Sequence, residues 1–269
     1  MVRLRVVTDD DGRSPAQRAQ DLHRARSSDD AQEQLRTVLA HLRSAQELVE
    51  ARLAHGELGD RMPEAVWPLL DRAYGALDAY FALLLHTAAI DPSCGPRCSA
   101  CCTDLPPILP VEALRMARAL RASDPEHARN RLQRAVDQAR GFQALLLERA
   151  REQGEQAETL DASSPIYRQA QLDWRRLGHP CPILGDDGSC RVYEARPLSC
   201  RAHVHVEDPA HCEPASPRFL SAERPPLWGH PRECEVELAL VALGKLLGLP
   251  GVPNLQWGLA RLHEHPLAR

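Results

Sequence analysis

The sequence predicts a mainly α-helical protein with an irregular, loop-rich core of clustered cysteines and little β structure. Apolar residues recur at intervals of three and four over residues 31–54, which is the spacing of one helix face. Proline or glycine stands at the ends of most such stretches, where helices begin and end. The first 90 residues contain no cysteine, whereas residues 94–102 contain four and residues 181–200 contain three more. These observations together predict helices that carry two cysteine loops.

The first third of the chain divides into a polar segment and two helices. Residues 1–30 are rich in Asp, Arg and Ser and lack apolar periodicity, so we expect a mobile polar tail. Residues 31–90 contain two helical stretches, which we expect to pair as an N-terminal helical hairpin, with Pro63 in the first turn of the second helix. The apolar faces of these helices either form core or bind a protein partner, and core is the commoner role of such faces.

A cysteine-cluster domain is expected over residues 91–269, with a helical excursion at about residues 111–177 between its two cysteine loops. Residues 190–193 are predicted as a short strand, and the proline-rich residues 208–231 as coil. Helices of this domain are predicted from proline, glycine and capping residues at 111–120, 124–154, 164–177, 231–247 and 254–263.

Composition argues against several classes of function. The formal net charge is −4, so a general affinity for nucleic acid or for an anionic membrane is not expected. The first residues lack the apolar stretch of a signal peptide, and no apolar run reaches the length that spans a membrane. We therefore expect a cytoplasmic protein. Because cytosolic thiols are kept reduced, this expectation favours metal binding or catalysis over disulfides.

The spacing within the first cysteine loop supports a metal site. Cys98 and Cys101 form a C-x2-C pair, a spacing at which two thiolates converge on one ion. Cys94 precedes this pair by a slightly longer step. Cys101 and Cys102 are adjacent, so their Cα atoms lie about 3.8 Å apart, which is too close for an unstrained disulfide.

The second cysteine loop supplies three further thiols. Cys181 and Cys190 stand on either side of a Gly-Asp-Asp-Gly turn, and Cys200 follows. A tetrahedral site usually takes ligands from two chain segments, so we expect the two loops to meet in space. Because the clustered thiols are too many for one ion, two metal ions, a thiolate-bridged pair or one iron–sulfur cluster with spare thiols would all fit.

Both loops resemble the YkgJ-type cysteine-cluster family, which is named for its CxxCxxCC motif. The second block, CPILGDDGSCRVYEARPLSCR, is the more specific of the two, and Cys234 before a Gly-Leu-Pro matches the end of the family pattern. The resemblance implies zinc or iron as cofactor, including an iron–sulfur cluster. The sequence departs from the pattern after Cys94, where the step is x3 rather than x2, and at His203, where an aromatic residue is usual.

The predicted metal ligands are Cys94, Cys98, Cys101, Cys102, Cys181, Cys190, Cys200 and Cys234. Cys234 is included because it stands in the first turn of a predicted helix, where the helix dipole favours the thiolate that metals bind. Cys212 is excluded because its proline-flanked segment predicts flexible coil and an exposed thiol. His203 is interpreted as a partly buried polar residue rather than a ligand. No catalytic residue is identified.

The predicted function is coordination of zinc or iron, with an iron–sulfur cluster as one form of the iron. One alternative is an iron–sulfur-dependent enzyme such as a protein methyltransferase, since some flagellin lysine methylases resemble this family in their cysteine block. The other is an adaptor whose metal site is structural. The predicted partners are the metal ion and a protein bound by the N-terminal helices, with no nucleic acid and no membrane.

Overall fold

A computed structural model describes residues 13–59, 62–95, 97–155, 163–205, 209–219, 227–265 and 267. Within these residues the chain forms nine α-helices and no strand, which confirms the predicted fold class. None of the described helices is both long and apolar enough to cross a membrane. The helices are α1 (Pro15–Arg26), α2 (Asp29–Ala54), α3 (Val66–Thr87), α4 (Pro110–Ser123), α5 (Ala128–Glu152), α6 (Pro165–Leu177), α7 (Leu198–Ala202), α8 (Pro231–Leu246) and α9 (Leu255–Leu262).

Helix α1 lies where the sequence predicts a mobile tail, so that prediction is wrong for residues 15–26. The hydroxyl of Ser14 accepts a hydrogen bond from the Gln17 amide at 3.3 Å, and the Gln17 side chain accepts one from the Ser14 amide at 2.7 Å. This reciprocal cap starts the helix. Leu22 is fully buried, but a single short apolar stripe is too little for periodicity to detect. The predicted tail's residues 1–12 lie outside the described residues.

Helices α2 and α3 pack on each other, and α8 packs on α2. Helix α2 follows the N-cap Ser28 and ends before Gly56, whose φ of 65° suits glycine. Helix α3 begins later than Pro63, because a turn precedes it in which the Val66 amide donates to the Pro63 carbonyl at 2.9 Å. One cluster of buried apolar residues joins segments from Leu22 to Leu267, and a second, smaller cluster contains Phe142, Tyr167 and Trp174. The predicted domain boundary near residue 90 stays a prediction.

The excursion between the two cysteine loops consists of α4, α5 and α6. Helix α6 is capped by Ser164 and ends at Gly178 in the left-handed conformation, as its sequence signals predict. Helix α5 begins four residues after Asp124, the predicted cap. The Asp124 carboxylate instead accepts hydrogen bonds from Arg131 at 2.6 Å and His127 at 2.8 Å, which occupies it away from the helix amides.

The predicted strand at residues 190–193 is wrong. A single bridge joins Leu184 to Cys190 across the Gly-Asp-Asp-Gly turn, and this turn is confirmed by a hydrogen bond from the Gly185 amide to the Ser189 carbonyl at 2.8 Å. After Cys190 the backbone leaves the extended conformation, with φ −129° and ψ 41° at Val192, and enters a short 3-10 helix at Tyr193–Ala195. The chain therefore turns away before a second pair of β-sheet hydrogen bonds can form.

Two buried glutamates tie α3 to the rest of the fold. Glu112 accepts a hydrogen bond from the Tyr74 hydroxyl at 2.6 Å and from the Leu198 amide at 2.7 Å, which joins α3, α4 and α7. Glu233 of α8 accepts one from the Tyr80 hydroxyl at 2.6 Å. Burial, with a contribution from the hydrogen bond to the neighbouring glutamate, raises the pKa of both tyrosines above the usual value.

We expect the free energy of unfolding to fall as pH rises above about 10, the pKa of a tyrosine in an unfolded chain. Tyr74 and Tyr80 then ionise only on unfolding, because their pKa values in the folded protein are raised. Each contributes a slope of about 1.4 kcal/mol per pH unit. Urea unfolding can be measured between about pH 8 and 11, around that value. The free energy of unfolding should fall less steeply with pH in Tyr74→Phe and in Tyr80→Phe than in the wild type. The partly exposed Tyr193→Phe is the control, and equal slopes in all four proteins would refute the assignment.

Candidate metal centre

The first cysteine loop is a series of tight turns. The Cys98 amide donates to the Gly95 carbonyl at 3.0 Å, and the Cys102 amide donates to the Ser99 carbonyl at 2.9 Å. Arg97 between them adopts a left-handed backbone with φ 74°, a conformation that an L-residue occupies at a cost of roughly 1–2 kcal/mol. The turns present four thiols from a segment of nine residues.

The two cysteine loops meet, as the ligand count predicts. The Cys181 amide donates to the Cys102 carbonyl at 2.5 Å, which joins the start of the second loop to the end of the first. Both loops contribute to the wall of one cavity of about 380 Å³. The cysteines that line it are Cys94, Cys98, Cys101, Cys102, Cys181, Cys190 and Cys200. All seven are partly buried.

Helix α5 holds the second loop in place through one face. Three of its side chains donate to main-chain carbonyls of that loop: Arg131 to Leu184 at 2.7 Å, Arg134 to Pro182 at 3.0 Å and Gln138 to Pro180 at 2.8 Å. The spacing i, i+3, i+7 places these donors on one side of the helix, and the carbonyls that they contact follow each other at every second residue. Helices α4 to α6 thus bring the chain back to the first loop, and α5 holds the second loop in position beside it.

The rest of the cavity wall is partly charged, with Asp78 and Asp104 as well as arginines, and partly apolar. Its apolar residues include Phe81, Leu85, Met116, Ile183 and Leu255, and three arginines line it as well: Arg97, Arg196 and Arg201. Arg196 stacks over the Tyr193 ring at 3.5 Å from the ring centroid. Arg201 forms an ion pair with Asp78 and donates to the Arg196 carbonyl at 2.9 Å. Arg196 partly offsets the negative charge of thiolates in the cavity, whereas the charge of Arg201 is balanced by Asp78.

The thiols of the first loop interact in two pairs. A hydrogen bond between the Cys94 and Cys98 side chains lowers the pKa of Cys98 to about 6 and raises the pKa of Cys94 above its usual value. A hydrogen bond between the Cys101 and Cys102 side chains likewise lowers the pKa of Cys101 and raises that of Cys102. In each pair the sulfur with the lowered pKa ionises more readily and is therefore the better metal ligand.

The thiols of the second loop are held in the protonated form. Burial raises the pKa of Cys181 to about 12, and it also raises the pKa values of Cys190 and Cys200. Neighbouring thiols of both loops add to this effect at Cys200, while Arg196 opposes it. A metal must displace these protons to bind all the thiols, so its apparent affinity rises with pH.

The donor set suits zinc and iron. Thiolates are soft ligands that bind both zinc and iron–sulfur clusters, and the arginines provide the neighbouring positive charge that such anionic centres require. Residues 93–216 match the CxxCxxCC family. The model of this family is described as a "Putative zinc- or iron-chelating domain". A search of curated proteins and a search of solved structures gave no match.

The match confirms the resemblance seen in the sequence. The CxxCxxCC segment, residues 93–216, contains both cysteine loops and therefore all the cavity cysteines. It also contains Cys212, but it ends before Cys234. The predicted ligand Cys234 lies in the first turn of α8 and is not among the residues that line the cavity. Its role as a ligand stays a prediction.

Cys212 differs from its prediction. It ends a 3-10 helix, Pro209–Cys212, and is only 2 % exposed, so the prediction of an exposed thiol in flexible coil is wrong. The turn is held by a contact of the His211 ring with the Arg218 carbonyl at 3.2 Å. Proline on either side suggested coil in the sequence, whereas the thiol is buried by packing that no local signal encodes.

Sequence reasoning also gave too little weight to two histidines of the CxxCxxCC segment. His203 lines the cavity, and its ring centroid lies 5.6 Å from that of His205, which is 1 % exposed. The signal that could have found them is the His-x-His spacing that begins three residues after Cys200, the last cysteine of the second loop. In extended backbone this spacing places both rings on one side of the chain.

Proposed function

We propose that the protein binds zinc or iron through the cavity cysteines, in a thiolate-bound centre that contains more than one metal atom. The observation that carries the proposal is that seven thiols from two loops line one cavity. Four thiolates complete a tetrahedral site, so this number exceeds the need of one ion. A pair of thiolate-bridged metal ions and an iron–sulfur cluster both satisfy it.

The surroundings of the thiols support this proposal. Several thiolates near one another repel, and Arg196 on the cavity wall reduces that repulsion at Cys190 and Cys200. Backbone hydrogen bonds and the donors of α5 fix both loops, so the ligands are positioned before the metal arrives. Such pre-positioning lowers the conformational entropy that metal binding must overcome.

The identity of the metal also decides between the two alternative functions. A colourless protein with bound zinc favours a structural centre in an adaptor. A brown protein with visible absorption indicates an iron–sulfur cluster and favours the enzymatic alternative, for which the apolar wall beside the thiols offers space for an organic substrate.

We expect protein that is purified without oxygen to contain metal, and the double variant Cys181→Ser/Cys200→Ser to lose most of it. Both thiols belong to the second loop, and serine is a poor ligand for either metal. The measurement is elemental analysis per chain, together with the visible absorption spectrum. Wild-type metal content in the double variant would overturn the proposal.

The single variant Cys234→Ser is the matched comparison, since it also removes a thiol that is only partly exposed. Unchanged metal content in this variant indicates a centre built by the cavity cysteines alone. Reduced metal content in Cys234→Ser supports the prediction that Cys234 is an eighth ligand.

A further inference from the structure

We propose a second metal site, formed by His203, His205 and Cys212, that binds Zn²⁺ through two imidazoles and one thiolate. One ligand atom from each of these residues lies within 4.8 Å of the other two. His205 is 1 % exposed and Cys212 is 2 % exposed, while His203 is partly buried at the cavity wall. Two ring nitrogens and a sulfur that converge below the surface are a donor set that zinc prefers.

The local backbone explains why the two histidines converge. His203 caps the end of α7 with φ −85° and ψ 94°, so the chain leaves the helix in an extended conformation. Side chains two residues apart then point to the same side. The backbone of His205 is held by the first cysteine loop: its carbonyl accepts from the Ser93 amide at 2.8 Å, and its amide donates to the Cys94 sulfur at 3.1 Å.

The third donor arrives from a separate turn. The 3-10 helix Pro209–Cys212 brings the Cys212 thiol back to the two rings, and the contact between His211 and the Arg218 carbonyl braces that turn. Donor atoms on one tetrahedral zinc ion lie roughly 3.3–3.6 Å apart, from Zn–N bonds of about 2.0–2.1 Å and Zn–S bonds of about 2.3 Å. Each pair of donors therefore needs to close by no more than about 1.5 Å, which side-chain rotation can supply.

The second site differs in chemistry from the thiolate centre beside it. One thiolate and two neutral imidazoles leave bound Zn²⁺ with a net charge of about +1, whereas four thiolates leave it with about −2. Three protein ligands also leave one coordination position for water or a small anion, as in catalytic zinc sites. On binding, the Cys212 thiol releases its proton. His203 lines the cavity, so this position lies next to the space that the cysteines enclose.

Zinc titration of the metal-free protein, with a chromophoric chelator as competitor, tests the proposal. We expect Cys212→Ser and His205→Gln each to bind one zinc ion fewer than the wild type. The control His263→Gln replaces a partly buried histidine at the end of α9, which belongs to neither site, and should keep the wild-type number. The double variant Cys181→Ser/Cys200→Ser should lose zinc from the cavity but retain the ion at the second site, which separates the two proposals. Wild-type stoichiometry in Cys212→Ser and His205→Gln would overturn the second site.

X-ray absorption at the zinc edge provides a readout that does not depend on the stability of a buried variant. The zinc-loaded wild type should show nitrogen neighbours at about 2.0–2.1 Å beside the sulfur shell. This nitrogen contribution should disappear in His203→Gln/His205→Gln. A shell of sulfur alone in the wild type, or a nitrogen contribution that persists in the double variant, would overturn the proposal.

Discussion

Removal of the metal is expected to lower the melting temperature by roughly 8–16 °C. A ligand present at about 1,000 times its dissociation constant stabilises the folded state by about 4.1 kcal/mol, and each kcal/mol shifts the midpoint of a protein of this size by about 2–4 °C. The described residues of the first cysteine loop bury no apolar side chain, so the metal is expected to stabilise that loop in place of a core. Calorimetry of the protein before and after anaerobic chelation measures the shift.

Most of the helical signal in circular dichroism should survive metal removal. Helices α1, α2, α3 and α8 share a continuous apolar core, with Leu35, Leu42, Leu77 and Leu240 almost fully buried within it. This packing does not depend on the cavity thiols. The loss of stability should therefore be concentrated in the cysteine loops, where amide hydrogen exchange would increase most.

Two comparisons make this expectation specific. The same chelator should shift the melting temperature of Cys181→Ser/Cys200→Ser less than that of the wild type, because this variant has already lost the metal of the cavity. Cys234→Ser should respond like the wild type if the cavity cysteines alone form the centre. A thoroughly demetallated wild-type protein that melts at the same temperature as the loaded protein would show that metal and folding are not coupled.

Elements with strong local signals are predicted well from the sequence. Helix α6 is an example, because Ser164 supplies the first cap and Gly178 supplies the left-handed residue that ends the helix. The meeting of the two cysteine loops is also predictable, since the number of ligands that a metal needs requires both segments. In each case the information lies within a few residues or in the chemistry of one residue type.

Features that depend on contacts between distant segments are missed. Helix α1 has a weak apolar pattern, and its last residue Arg26 binds Glu233, which lies 207 positions further along the chain. The hydrogen bonds from α5 to the second loop are accepted by main-chain carbonyls, which every sequence possesses. Burial of Cys212 similarly follows from the position of its turn on the rest of the fold. Composition and periodicity carry no information on such pairings.

The variant Glu233→Ala is expected to lower the free energy of unfolding by about 3–5 kcal/mol, the usual cost of breaking a buried ion pair. The carboxylate of Glu233 is fully buried and accepts four hydrogen bonds. The donors are Arg26 at 2.7 Å, Tyr80 at 2.6 Å, and the amides of Gly229 at 2.7 Å and His230 at 2.8 Å. Alanine removes all four acceptor contacts and takes away the counter-charge that faces the buried guanidinium of Arg26. Urea unfolding at neutral pH measures the loss.

The exposed Glu235 on the same helix provides the control, because Glu235→Ala should change the free energy of unfolding by no more than about 0.5 kcal/mol. Arg26→Met/Glu233→Met should recover part of the loss, since a buried ion pair replaced by apolar side chains leaves no charge to compensate. The single variant should also expose α1 to proteases, because Arg26 joins that helix to α8. A loss below about 1 kcal/mol, close to the effect of an ordinary substitution, would mean that Glu233 does not hold the N-terminal helices together.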